Sequence, residues 1–271
     1  MLHGPLLTFD IFRRDCCLSK ERHFTLQEIL ADLFKTLANF VALEIFLRFV
    51  YAHALSIYHW LLEEMTPVEA IAMFWIHLHI FNIKYFIFYT FSGLFAKLDG
   101  IEPPGPPKCI ASLYTYVDMW RYFDKGLNRF LLQTIYLPLG GSRKGFGRKT
   151  IASFACFTFI GFWHGADKSF MTWALSNWLG IVVESIASYF VENKLYREAR
   201  VVFGELAHRR LCALGGAFSV FTLIYTNMIF LVGYEAATIL FKRIFVVWYC
   251  PPLCIFVFYC GNHCSIDASY T

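Results

Sequence analysis

The sequence predicts an all-α protein, a multi-pass transmembrane helical bundle of about six spans with one amphipathic or re-entrant segment. Two observations carry this. Hydrophobic residues make up 58% of the 271 and aromatics 19%, with only 16% charged, whereas a soluble domain needs about 25% charged residues to furnish a polar surface. The apolar residues also gather into runs of bilayer-crossing length, separated by short stretches rich in proline, glycine and basic residues. A net charge of +4 is too small to indicate a nucleic-acid partner.

Residues 1–27 are mixed in character, with Arg13, Arg14 and Asp15 beside Cys16 and Cys17, and read as a juxtamembrane segment. No basic-then-apolar leader follows Met1, so the first spans are expected to direct targeting. The transmembrane domain is expected over residues 28–260, with a tail over 261–271. Its first apolar stretch, Leu33 to Leu62, holds Glu44 and Arg48 four residues apart, on one helix face where they can neutralise each other. Thr66-Pro67-Val68-Glu69 has the pattern of a helix start: a threonine cap, proline at the first helical position, and glutamate three residues after the cap. The span that follows, Ala70 to Ala96, exceeds the roughly 20 residues a bilayer requires. Leu98-Asp99-Gly100 ends it, and the prolines between Glu102 and Cys109 form a stiff, non-helical connector.

Residues 112–137 are amphipathic. Arg121, Lys125 and Arg129 recur every four positions, opposite Phe123, Leu127, Phe130 and Leu131, which suits an interfacial or re-entrant helix. Pro138-Leu139-Gly140-Gly141-Ser142 breaks it. Four further apolar stretches follow, at about 150–164, 170–190, 211–232 and 244–260, the last interrupted by Pro251-Pro252. Leu211 to Val232 contains no charged residue. The nine cysteines show no paired spacing, and several lie in apolar runs, where a thiol acts as a small hydrophobe.

The candidates for chemistry are few. His164 closes the run Ile151 to Trp163, and an ionisable group at such a depth is costly. An imidazole titrates near neutrality, and burial favours its neutral, proton-accepting form. Trp163 and Gly165 beside it offer a large wall on one side and close approach on the other. The plainer role is a histidine hydrogen-bonded to a neighbouring helix. Asp124, which ends Met119-Trp120-Arg121-Tyr122-Phe123-Asp124, fits either a helical pair with Arg121 or Asn128 or a carboxylate aimed inward, orienting a substrate amine or the histidine. Arg143, Lys144, Arg148 and Lys149 crowd one loop, either as a cytoplasmic topology signal or as a contact for an anionic ligand. Cys109 is either an ordinary thiol or, on its fixed loop, a lipidated or haem-ligating one. Asn227 either bonds across helices or lines a cavity. His77 and His79 point to different faces of one helix and read as packing. The tail Cys260-Gly261-Asn262-His263-Cys264 supplies too few ligands for zinc, and no metal is expected.

Four of these stretches also carry a resemblance. Met119–Asp124, Tyr136-Leu137-Pro138-Leu139-Gly140-Gly141-Ser142, Phe162-Trp163-His164-Gly165 and Trp173-Ala174-Leu175-Ser176-Asn177-Trp178 resemble, in order and spacing, the membrane-bound O-acyltransferase superfamily. Within it they resemble the Hedgehog-acylating branch, over the carboxyl-terminal half of the family fold. O-acylating members commonly place histidine or asparagine where this chain has Asp124, and the Hedgehog branch places aspartate there. The resemblance implies His164 and Asp124 as the catalytic pair, Asn227 and Trp163 at the substrate cavity, and the basic loop on the CoA side. It implies palmitoyl-CoA as acyl donor, Cys109 as a haem-linked cysteine, and a secreted Hedgehog-type protein as acceptor in the endoplasmic reticulum membrane. The reaction would be transfer of palmitate to an amino-terminal cysteine. The alternatives are O-acylation of a serine, lipid or sugar hydroxyl, and a non-catalytic relative that binds lipid.

Overall fold

The computed structural model describes residues 5–15, 24–110 and 113–246. Every regular element among them is helical. In chain order they are α1 (Phe9–Arg13), α2 (Leu26–Phe49), α3 (Ala52–Ile57), α4 (His59–Glu64), α5 (Pro67–Leu98), α6 (Tyr116–Tyr122), α7 (Lys125–Leu131), α8 (Phe146–Trp163), α9 (Lys168–Glu192), α10 (Lys194–Phe203), α11 (Glu205–Val232) and α12 (Tyr234–Phe241). Wide π-type turns cover Leu132–Tyr136 and Lys242–Val246, and a tight 3-10 turn covers Gly141–Lys144. Three of these helices, α5, α9 and α11, are long and apolar enough to cross a membrane. Apart from residues 244–246, the expected 244–260 span lies outside the described residues, as do the 261–271 tail, Cys16 and Cys17.

Local chemistry explains the boundaries. The Thr66 hydroxyl donates to the Glu69 carboxylate at 2.8 Å and accepts from the Glu69 amide at 3.4 Å. The expected cap is therefore the one that starts α5. Thr25 and Glu28 form the same reciprocal pair at the start of α2. The Leu33–Leu62 stretch is not one helix: it breaks at Val50, whose backbone is extended (φ −120°, ψ 103°), and again before His59. A β-branched valine followed by a tyrosine favours that extended geometry, and apolar content alone does not reveal it. The amphipathic stretch is also divided, because Asp124 starts a new helix, α7, where periodicity reads through. Between α9 and α11 the structure adds α10, a helix not expected from the sequence.

The chain forms two compact units. The first comprises residues 1–52, 75–112 and 119–152. Within it α2 and α5 are joined by a hydrogen bond from the Thr36 to the Thr90 hydroxyl at 2.8 Å and by the Lys97–Asp32 ion pair. Phe123 stacks on Phe81 with ring centroids 5.5 Å apart. The second unit comprises residues 53–74, 113–118 and 153–271. Here α9 and α11 pack lengthwise, with α12 against both α11 and α4. Near the middle of α9, Glu184 accepts hydrogen bonds from the amides of Tyr116 (2.8 Å) and Val117 (3.0 Å) and from the Ser219 hydroxyl (2.5 Å). One carboxylate thus satisfies the open amides at the start of α6 and ties α9 to α11.

Beside it the Tyr116 ring, 2% exposed, lies flat under Gly180 and bonds through its hydroxyl to Thr222 and Thr226. Burial raises this phenol above its ordinary range. A Cβ on Gly180 would stand 2.4 Å from that ring, and the ring is held too firmly to move aside. Gly180→Ala is therefore expected to destabilise by roughly 1–3 kcal/mol through overpacking. Gly215→Ala, where a Cβ meets nothing within 4 Å, should leave stability unchanged or slightly raised. Thermal unfolding midpoints in detergent check this, and equal midpoints for the two variants would refute the packing argument.

Candidate active site

His164 follows the last residue of α8, its amide bonded to the Ile160 carbonyl at 3.1 Å. The chain then turns through Gly165 (φ 123°) and Ala166 (φ 59°). Asp167 starts α9 by accepting the Phe170 amide at 2.9 Å. Left-handed backbone at a non-glycine residue is uncommon and costs energy, so this tight reversal is held by its surroundings. Gly161 is one of the holds, because a Cβ there would stand 2.7 Å from the Met171 sulfur and 3.3 Å from Ala174. The turn lays α9 against α8 and delivers the imidazole into a ring of aromatics. Phe170 lies 5.5 Å from it, and Trp173 and Phe230 meet it edge-on at 5.4 and 5.2 Å. Trp173 and Phe230 contact each other at 4.6 Å.

This half-buried imidazole has an apolar wall drawn from α9 and α11. Such a wall favours the neutral ring and suits a group that accepts a proton. The indole in contact is Trp173; Trp163, adjacent in sequence, is 64% exposed and lies against Phe159. The signal that could have singled out Trp173 and Phe230 is helical spacing: Trp173 stands one turn after Phe170, and Asn227 one turn before Phe230. Asn227 is half-buried on α11.

Asp124 is a helix cap. It precedes Lys125 with non-helical backbone, and one of its oxygens accepts the Leu127 amide at 2.8 Å. The Tyr89 hydroxyl on α5 also bonds to this carboxylate. Phe123 beside it packs on Phe81 and Tyr85. Gly126 brings α7 onto the backbone of Leu6, 2.5 Å from where a Cβ would sit. Asp124 belongs to the first unit and His164 to the second.

In the first unit, Arg143, Lys144 and Arg148 are exposed and Lys149 is half-buried. Gly140, Gly141 and Gly145 turn the chain with positive φ, so Arg143 and Lys144 sit in the turn while Arg148 and Lys149 occupy the first turn of α8. Positive side chains at the positive end of a helix dipole are unfavourable unless an anion approaches. Cys109 is exposed at a shallow depression, enclosing no appreciable volume, that it shares with Leu78, His79, Asn82 and Ile110. Pockets for drug-sized ligands run to about 300–1,000 Å³. The described residues around Cys109 do not enclose a macrocycle and lend the expected haem no support. The Nδ1 of His79 is engaged with the Trp75 carbonyl at 2.8 Å, and His77 is buried. Among the described residues no cluster of three His, Cys, Asp or Glu side chains could hold a metal ion. Glu184 is the charged group that reading the sequence passed over, and a lone carboxylate within the 170–190 run was the available signal.

The family model for the membrane-bound O-acyltransferase family matches residues 1–232, and the chain belongs to that family. It is 33% identical to the mouse (Mus musculus) protein-cysteine N-palmitoyltransferase HHAT over 99% of this chain and 55% of the relative. It is 30% identical to protein-cysteine N-palmitoyltransferase Rasp of Drosophila melanogaster, over 76% of this chain and 43% of the relative. It is 26% identical to membrane-bound O-acyltransferase GUP2 of Saccharomyces cerevisiae, over 90% of this chain and 38% of the relative. The chain spans about half the length of the curated relatives it matches.

Asp124→Ala removes the cap of α7 and should cost about 1 kcal/mol, within a range of roughly 0.5–2. Asp124→Asn, which caps equally well, should leave the unfolding midpoint close to that of the parent chain. An asparagine variant as unstable as the alanine variant would show that the charge, and not the cap, holds this turn.

Proposed function

We propose that this chain carries the catalytic residues of a membrane acyltransferase that moves palmitate from palmitoyl-CoA to the amino-terminal cysteine of a secreted Hedgehog-type protein. The membrane would be that of the endoplasmic reticulum, crossed about six times by this chain. The observation that carries the reading is the neutral-favouring aromatic setting of His164, in a chain similar to two protein-cysteine N-palmitoyltransferases.

An α-amino group has a pKa of about 8, so a fraction of the acceptor is free base near neutrality. Its nitrogen attacks the thioester carbonyl to give a tetrahedral adduct. His164 accepts the proton that the nitrogen must lose. The carbon–sulfur bond then breaks, the proton passes to the departing CoA thiolate, and an amide is left on the acceptor. No acyl-enzyme intervenes. Asp124 holds the acceptor's amine or its cysteine thiol, and Asn227 and Trp163 line the path of the substrate. The acyl chain lies among apolar helices, where each buried methylene contributes about 0.8 kcal/mol. The CoA phosphates meet Arg143, Lys144, Arg148 and Lys149, which is the anion that the basic first turn of α8 calls for.

A second reading is supported by the likeness to GUP2, a membrane-bound O-acyltransferase: the same histidine would activate a hydroxyl acceptor. Hydroxylamine separates the two, since it cleaves an ester and spares an amide.

The experiment is transfer of labelled palmitate from palmitoyl-CoA to a peptide with an amino-terminal cysteine, by membranes carrying the chain. His164→Ala should lose at least about 100-fold in rate, as general-base removal does, and Asp124→Asn about as much through loss of acceptor positioning, with folding unchanged for Asp124→Asn. Transfer at the parent rate in both variants would dispose of the assignment. Arg148→Gln with Lys149→Gln should raise the KM for palmitoyl-CoA by at least about tenfold with little change in kcat, the loss expected for charge-assisted hydrogen bonds. An unchanged KM would leave the loop as a topology signal alone.

A further inference from the structure

The ten residues of α10 are joined to α9 through Asn193 and to α11 through Gly204, with no other residue at either junction. Both neighbours are candidate membrane spans, so a helix fastened directly to their ends sits where hydrocarbon gives way to water. Its residues separate by character around the axis. At 100° per residue, Val202, Leu195, Ala199, Phe203 and Tyr196 follow one another along one arc. Arg200, Arg197, Lys194 and Glu198 occupy the other, with Val201 among them.

Among the described residues three side chains of this arc are left largely uncovered: Leu195 is 75% exposed, Val202 80% and Phe203 75%, while Ala199 and Tyr196 are half-buried. Leaving such side chains in water forgoes about 1.5–3 kcal/mol each. At the edge of the arc the Tyr196 hydroxyl bonds His208 Nδ1 at 2.8 Å. Arg200 grips Glu205 across the Gly204 turn at 2.6 Å. These contacts fix the rotation of α10 against the start of α11, and with it the direction its apolar arc presents. Charge supports the same occupant. Between residues 194 and 210 the chain carries five basic residues against two acidic ones, and both acids lie in surface ion pairs, Glu205 with Arg200 and Glu198 with Lys194 at 3.8 Å, so the segment keeps a net positive charge.

We propose that α10 lies in the plane of the bilayer interface. Leu195, Val202 and Phe203 enter the outer acyl region, while Lys194 and Arg197 face anionic phospholipid headgroups. Amphipathic helices with a basic polar face bind membranes in this way. This inference needs only the membrane placement of α9 and α11 and stands whatever acyl acceptor is used.

The test uses the whole chain in nanodiscs of phosphatidylcholine with or without phosphatidylserine. Single-cysteine variants Leu195→Cys, Val202→Cys, Arg197→Cys and Glu198→Cys are made in a chain whose nine native cysteines are replaced, and each is labelled with an environment-sensitive fluorophore. Labels at 195 and 202 should be quenched by nitroxide-bearing lipids and shielded from aqueous iodide; labels at 197 and 198 should show the reverse. Iodide access at 202 equal to that at 197 overturns the proposal, and so does shielding at 202 from both quenchers, which would mean that protein covers the face. Should the cysteine-free chain misfold, amide hydrogen exchange over 194–203 in the native sequence gives an independent reading. Exchange should be slower in the anionic nanodiscs, and Lys194→Gln and Arg197→Gln should each reduce that ratio by up to roughly fivefold. Identical exchange in the two lipids also overturns it.

Discussion

A single carboxylate, Glu184, sets the frame of the second unit. In water its bonds to two backbone amides and a serine hydroxyl would add little. In apolar surroundings an unpaired carboxylate and unpaired amides are each costly, so the three partners hold one another in place. The consequence reaches three helices at once: α9 bears the acid, α11 the serine, and α6 begins on its oxygens. With α9 and α11 tied together there, Trp173 and Phe230 can meet further along the same pair, and His164 rests between them. The aromatic setting of the imidazole is thus downstream of a polar lock.

Asp124 shows the same economy in the first unit. The residue that family likeness marks for chemistry is also the cap of α7 and the partner of Tyr89. A carboxylate whose oxygen already accepts a backbone amide is fixed in direction, and a fixed carboxylate orients a second donor at little further entropic cost. The structural role and the proposed chemical one therefore reinforce each other here. Replacement by asparagine separates them because it keeps the acceptor geometry and removes the charge.

Much of the architecture is legible in residue order. The start of α5 follows from Thr66, Pro67 and Glu69, whose side-chain chemistry is local. The apolar runs that become α8, α9 and α11 stand out because a bilayer demands long uninterrupted hydrocarbon. The break inside Leu33–Leu62 and the helix α10 are not legible in the same way. Val50 is extended through local backbone preference, which apolar content does not report. In α10 the amphipathic period occupies only ten residues and is masked by the charged sequence that follows it.

By itself, the sequence determined that the chain is helical and membrane-bound, that it belongs to an acyltransferase family, and that His164 and Asp124 are its outstanding ionisable groups. These are properties of composition, of spacing within one helix, and of motif order, all carried by neighbours along the chain. Only the tertiary structure decided that Trp173, and not Trp163, meets the imidazole, that Phe230 completes its wall, and that Glu184 ties α9 to α11. It also showed that the described surface at Cys109 is shallow and lends a haem no support. Those outcomes depend on which faces of separate helices turn toward one another. That choice follows from close approach at Gly161 and Gly180 and from the satisfaction of buried polar groups, and neither is expressed in linear order.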